Sequence, residues 1–177
     1  PAMTMTTFAV ASHLQFRVAS TKEGFASPKP RSETLKAFAG AESSYNPSAE
    51  SPTSKATGLF QFTPDTWSTI SKKYPQYSSV LSKGPKDPEA ASLAGSLYLK
   101  DNTEELSKDK LPVNAQTQYA SHFLGVDGAK KLLNSASDAD STKLFPKAAE
   151  LNKTMFYNKD GSAKSLKQLF QSISEAV

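Results

Sequence analysis

The chain has 177 residues, 37% of them hydrophobic, and a formal charge of +4 from 21 Lys and Arg against 17 Asp and Glu. That length buries one sizeable core and points to one compact domain, while no run reaches the ~18 apolar residues of a membrane-spanning helix. Without cysteine there is no disulfide or thiolate metal site, His13 and His122 stand too far apart for a zinc site, and the lysines are scattered, so no metal, cofactor or nucleic acid is expected.

The start, PAMTMTTFAVASH, lacks the basic n-region and cleavage site of a secretory signal. Over residues 6–20, Phe8, Ala11 and Leu14 keep a helical period, although Leu14, Phe16 and Val18 also alternate as in a strand; helix is preferred. The segment KEGFASPKPR reads as a loop feeding Ser32, an N-cap for the next helix, which Asn46-Pro47 ends. Residues 1–31 are therefore expected to pack as helix and loop on a domain spanning 32–177. A small β-hairpin is expected between Ser48 and Phe62.

Thr63-Pro64 is an N-cap and first-turn pair opening a helix through Trp67 and Ile70, and Asp87-Pro88 repeats the device. Trp67, the only tryptophan, is expected in the core. The helix after Asp87 sets Ala90, Ala94, Leu97 and Tyr98 on one face, small enough for a second helix to approach closely. Asn114 caps a further helix that Gly125 stops, and Asp127 starts the next. After an NKDG turn, Leu166, Leu169, Phe170, Ile173 and Val177 keep helical register. The architecture is mainly α.

Glu42 is the residue that does not fit a plain helix. In SETLKAFAGAESS, Leu35, Phe38 and Ala39 form an apolar stripe, and Glu42 continues it at the i, i+3, i+4, i+7 spacing. A carboxylate on that stripe turns inward, where loss of water makes its ionised form costly, which is what a general acid requires. Most helical glutamates turn to solvent instead. Against that stands the downstream stretch SSYNPSAESPTSKATGLFQFTPDTW, too rich in Ser, Pro, Thr and Gly for helix yet carrying Tyr45, Leu59, Phe60, Phe62 and Trp67. Aromatic residues on a polar loop suggest a lined groove.

Glu42, Ser43, Asn46, Pro47, Ser51, Gly58, Leu59, Gln61, Pro64 and Trp67 match, in order, a pattern of Glu-Ser, two variable residues, Asn-Pro, a Ser- and Gly-containing loop ending Gly-Leu-Met-Gln, then Pro and Trp. The chain thereby resembles the lytic transglycosylases with a lysozyme-like fold, over residues 32–70, with Phe60 in place of the usual Met. The resemblance implies a substrate groove and a reaction on peptidoglycan glycan strands. Glu42 would protonate the glycosidic oxygen between N-acetylmuramic acid and N-acetylglucosamine, the muramoyl 6-hydroxyl would attack, and a 1,6-anhydro end would result. One carboxylate then suffices, an exception to the two-carboxylate rule of glycosidases. Glu50, Asp65 and Asp87 are the candidates for a second, but they read better as a polar-loop residue, a first-turn residue and an N-cap.

Around Glu42, the expected substrate-side residues are Ser43, Ser54, Gly58, Phe60, Gln61 and Phe62. An amide such as Gln61 can donate and accept toward an N-acetyl group, whereas serines in such a loop more often satisfy their own backbone. Of Phe60 and Phe62, alternating around Gln61, one should enter the core and the other line the groove. In QYASHFLGVDGAKKLL the usual Ala-Tyr-Asn-Ala-Gly segment is replaced. Aligning Gly125 puts His122 at the tyrosine position and Tyr119 one turn earlier, a form that resembles transglycosylase domains of bacteriophage lysins and virion proteins. The two are assigned to orienting Glu42 or contacting the sugar; a histidine on a half-buried face more often just packs. The resemblance thus implies a phage-encoded or virion-associated monomer acting on the host periplasmic cell wall. The competing readings are a goose-type lysozyme-like muramidase, using water, and a glycan-binding virion or envelope module without turnover.

Overall fold

The computed structural model describes residues 28–177, with side chains from Glu33 onward; the helix expected over residues 6–20 and His13 lie outside the described residues. Ten α-helices and one 3-10 turn make the described chain mainly α, in keeping with a lysozyme-like fold. Its contacts fall into two compact units that divide between Tyr98 and Leu99.

In the unit ending at Tyr98, α1 spans Pro28–Ser43. It starts four residues before the expected cap: Pro28 and Pro30 occupy the first turn, where no intrahelical N–H is needed, so Ser32 lies inside the helix. Leu35, Phe38, Ala39 and Glu42 are all buried, the stripe that the spacing required. The helix stops before Pro47 is reached. Ser44 and Tyr45 turn left-handed, at φ 51° and 68°, and donate their amides to Gly40 O and Ala39 O at 3.0 and 3.2 Å.

The expected hairpin is present as isolated antiparallel bridges, Glu50 to Thr57 and Thr57 to Phe62, and not as a ladder. Helix α2, Pro64–Lys73, opens on Thr63, whose hydroxyl accepts from Thr66 N. A 3-10 turn, Pro75–Tyr77, and α3, Ser78–Leu81, bring Leu81 into the core. Helix α4, Pro88–Lys108, opens on Asp87, whose carboxylate accepts from Ala90 N at 2.9 Å. From Ala90 to Leu97 every residue of α4 is buried, not one face alone. The small residues explain it: a Cβ built on Gly95 would lie 3.1 Å from the Phe60 ring and 3.4 Å from Leu35 Cδ2, so both side chains rest directly on the helix.

In the unit from Leu99, α5 spans Ala115–Leu124 behind a reciprocal cap between Asn114 and Thr117. Gly125, at φ 79°, ends it, and α6, Val126–Asn134, follows with Asp127 in its first turn instead of at its cap. Lys130 of α6 reaches Glu105 and Asp109 at 3.0 and 2.9 Å. Three short helices that the sequence pattern did not indicate come next: α7, Ser141–Leu144, α8, Pro146–Leu151, and α9, Lys153–Phe156. The last helix, α10, Leu166–Ala176, is capped by Ser165 and buries Leu166, Leu169 and Ile173. Helices α6 and α10 both pack on α5.

Candidate functional site

The site is built where α1 ends. Glu42, one residue before the last of α1, is 3% exposed, and among the described residues it is the only charged side chain that is buried. Ser43, expected beside the substrate, is fully buried. Its hydroxyl lies 3.0 Å from Ala39 O and 2.8 Å from Leu59 O, and its single proton serves those carbonyls, fastening the loop to the end of α1.

The loop is shaped from within. Ser54 is occupied locally: its amide donates to Ser51 Oγ and its hydroxyl accepts from Ala56 N, each at 3.3 Å. Gly58 sits at φ 85° and donates to Ala49 O at 2.8 Å. Any Cβ there would lie 2.0 Å from Pro85 O, so only glycine lets the two backbones meet.

Gln61 is left-handed at φ 52° and 7% exposed. Its Nε2 donates to Gly58 O at 3.0 Å and Ala49 O at 3.3 Å. Flipping the amide would set oxygen against two carbonyls, so its orientation is determined. Oε1 is left buried and without a hydrogen-bond partner. A buried acceptor in that condition is uncommon and calls for an explanation.

Phe60 and Phe62 are both core residues, 1% and 4% exposed, with ring centroids 6.2 Å apart, although only one of them was expected there. Phe60 is core, seated on Gly95. The Phe62 ring meets Tyr98 edge-on at 5.5 Å and Trp67 at 5.8 Å. Trp67 is half-buried, not in the core as expected.

The carboxylates weighed as partners of Glu42 are engaged elsewhere or exposed. Glu50 pairs with Lys86 at 3.2 Å, Asp87 caps α4, and Asp65 is exposed in the first turn of α2. Among the described residues no three His, Cys, Asp or Glu side chains gather as a metal site would need, and no helix is long and apolar enough to cross a membrane.

In the other unit, Tyr119 on α5 is fully buried and its ring stacks on those of His122, at 6.4 Å and 15°, and Phe123, at 6.3 Å and 27°. His122 is half-buried. Phe123 in turn stacks on Phe156 of α9 at 6.2 Å. The sequence pattern singled out Tyr45 as an aromatic of the loop but not its left-handed turn, and it did not single out the Ala49 or Pro85 carbonyl. Gly58 was the one signal of the last, since a glycine inside such a loop marks close backbone approach.

Residues 21–124, more than half of the chain, match the model of the family described as Transglycosylase SLT domain. The match extends well beyond residues 32–70. It takes in every site residue from Glu42 to His122 and stops at the last residue of α5, leaving α6 to α10 outside it.

Proposed function

The chain belongs to the transglycosylase SLT domain family, whose activity is lytic cleavage of peptidoglycan, and from that premise we propose that Glu42 is its single catalytic acid and base. The observation that carries this reading is the burial of Glu42 alone among the charged side chains of the described residues, at the helix end to which the Gln61 loop is fastened. In this reading Glu42 gives its proton to the oxygen of the bond between N-acetylmuramic acid and N-acetylglucosamine. The departing sugar leaves with that proton. Glu42, now a carboxylate, takes the proton of the muramoyl 6-hydroxyl as that oxygen attacks the anomeric carbon, closing a 1,6-anhydro ring and restoring the acid. No second carboxylate is required, and Glu50, Asp65 and Asp87 are otherwise placed.

Gln61 supplies the recognition. Its Oε1 lacks a hydrogen-bond partner and would accept from a donor such as an N-acetyl N–H once the loop shifts to uncover it, and its left-handed backbone is the kind of strain found at sites. Tyr119 and His122 also lie inside the family match. The catalytic domain of this reading runs over residues 32–177. The Tyr-x-x-His-Phe-Leu-Gly form at 119–125 supports an origin in a phage lysin or virion.

Mass spectrometry of muropeptides released from purified cell walls tests the reading. Fragments with 1,6-anhydro ends are expected. Reducing ends would replace it with muramidase hydrolysis, and wall binding without release of soluble fragments would leave a glycan-binding module.

A further inference from the structure

The loop that carries Gln61 has a second face. Thr57 and Phe62 pair across an antiparallel bridge, so their side chains share one side, while Gln61, next along the chain, turns toward Ala49 and Gly58. On the Phe62 side lies a cleft of about 260 Å³, walled by Phe62, Pro64, Trp67 and Pro85, with Lys55 and Thr57 also in its lining. Glu42, Ser43 and Gln61 take no part in it.

Its chemistry is specific. The walls are aromatic and proline surfaces, with Phe62 held from another side by the edge of Tyr98. Lys55 is exposed and, among the described residues, makes no ion pair, whereas Lys83 and Lys86 are paired with Glu89 and Glu50. Lys55 also sits at φ 64°, a conformation that glycine or asparagine adopts at lower cost. An apolar trough with one uncommitted cation suits a ligand of small apolar side chains and a carboxylate. The polar groups in the lining are few, Lys55 and the hydroxyls of Thr57 and Ser68, against a wall that is otherwise aromatic and proline surface.

We propose that this cleft binds the acidic peptide branch of peptidoglycan, its carboxylate at Lys55 and its alanine methyls against Phe62 and Trp67. The inference rests on the reading that peptidoglycan is the substrate, and it adds recognition of the peptide to recognition of the glycan.

Because Trp67 is the only tryptophan of the chain, its emission reports on this cleft directly. The probe is the free tripeptide L-alanyl-γ-D-glutamyl-meso-diaminopimelate, titrated into the full chain. A saturable change in emission is expected. Lys55→Gln should weaken it about threefold to fivefold, the size of one partly exposed ion pair, Lys55→Arg should retain it, and amidation of the peptide carboxylates should mimic Lys55→Gln. Circular dichroism checks that both variants fold. No emission change with the tripeptide overturns the proposal, as does a change produced equally by chitotetraose and indifferent to Lys55→Gln. Release of wall fragments is measured in parallel. Fragments without tripeptide binding remove the cleft proposal alone; tripeptide binding without fragments removes the Glu42 reading and leaves the cleft.

Discussion

The segment from Ser44 to Phe62 and the stretch from Val126 to the end of the chain are built on opposite rules. Of the five non-glycine residues with positive φ among the described residues, four, Ser44, Tyr45, Lys55 and Gln61, lie in the first segment; the fifth, Lys110, follows α4. Each left-handed non-glycine residue costs on the order of 1 kcal/mol. In the second stretch the only positive φ is at Gly161, in the expected turn, and two of its five helices open on side-chain caps, Asp140 and Ser165. Among the described residues, left-handed non-glycine backbone gathers inside the family match, and none lies in the stretch outside it. The difference suggests that the first segment is shaped for a ligand and the second for stability.

Substitutions can separate these roles. The largest effect is expected from Glu42→Gln, which keeps the side-chain volume: wall lysis should fall about 10²–10⁴-fold with the thermal unfolding curve little changed. Retained lysis would remove the central assignment. Leu169→Ala should do the reverse. Leu169 is fully buried in α10, so its truncation should lower unfolding free energy by about 2–5 kcal/mol in denaturant titration, with the rate per folded molecule near wild type; a rate loss as large as that of Glu42→Gln would collapse the distinction.

Gly58→Ala should affect both properties. The new methyl meets Pro85 O on a left-handed backbone, which should cost about 2–4 kcal/mol and slow lysis as well, because Gln61 Nε2 bonds to Gly58 O. The smallest effect concerns pH. The Thr142 hydroxyl, and then its amide, hold the Asp140 carboxyl below its ordinary value of 3.8. A depressed value means that the cap's contribution is full above the unfolded value and fades as pH falls through the folded one. Melting temperatures of wild type and Asp140→Asn should therefore converge below about pH 4; a constant gap down to acid pH would show that the cap does not titrate in this way.

Local signals were the legible ones. Thr63, Asp87 and Asn114 were readable as caps because capping is decided within three residues. The inward turn of Glu42 was readable because α1 keeps one period from Leu35 onward. Helices α7 to α9 were not, since four to six residues are too few to show a period. Ser32 misled because the helix could start on its prolines, and Trp67 because its exposure depends on how α2 meets the loop. At the candidate site, Gly58 and Gln61 were marked by residue type, but the contact that makes Gly58 obligatory comes from Pro85, 27 positions away, and nothing local announces it.

Gly95 has a wider consequence. The absence of one methyl group lets Phe60 settle against α4, and Phe60 is joined to Gln61 by a single peptide bond. The height at which the ring rests is thus handed straight to the neighbouring amide, so that the fully buried stretch of α4, Ala90 to Leu97, acts as the datum from which the loop is levelled.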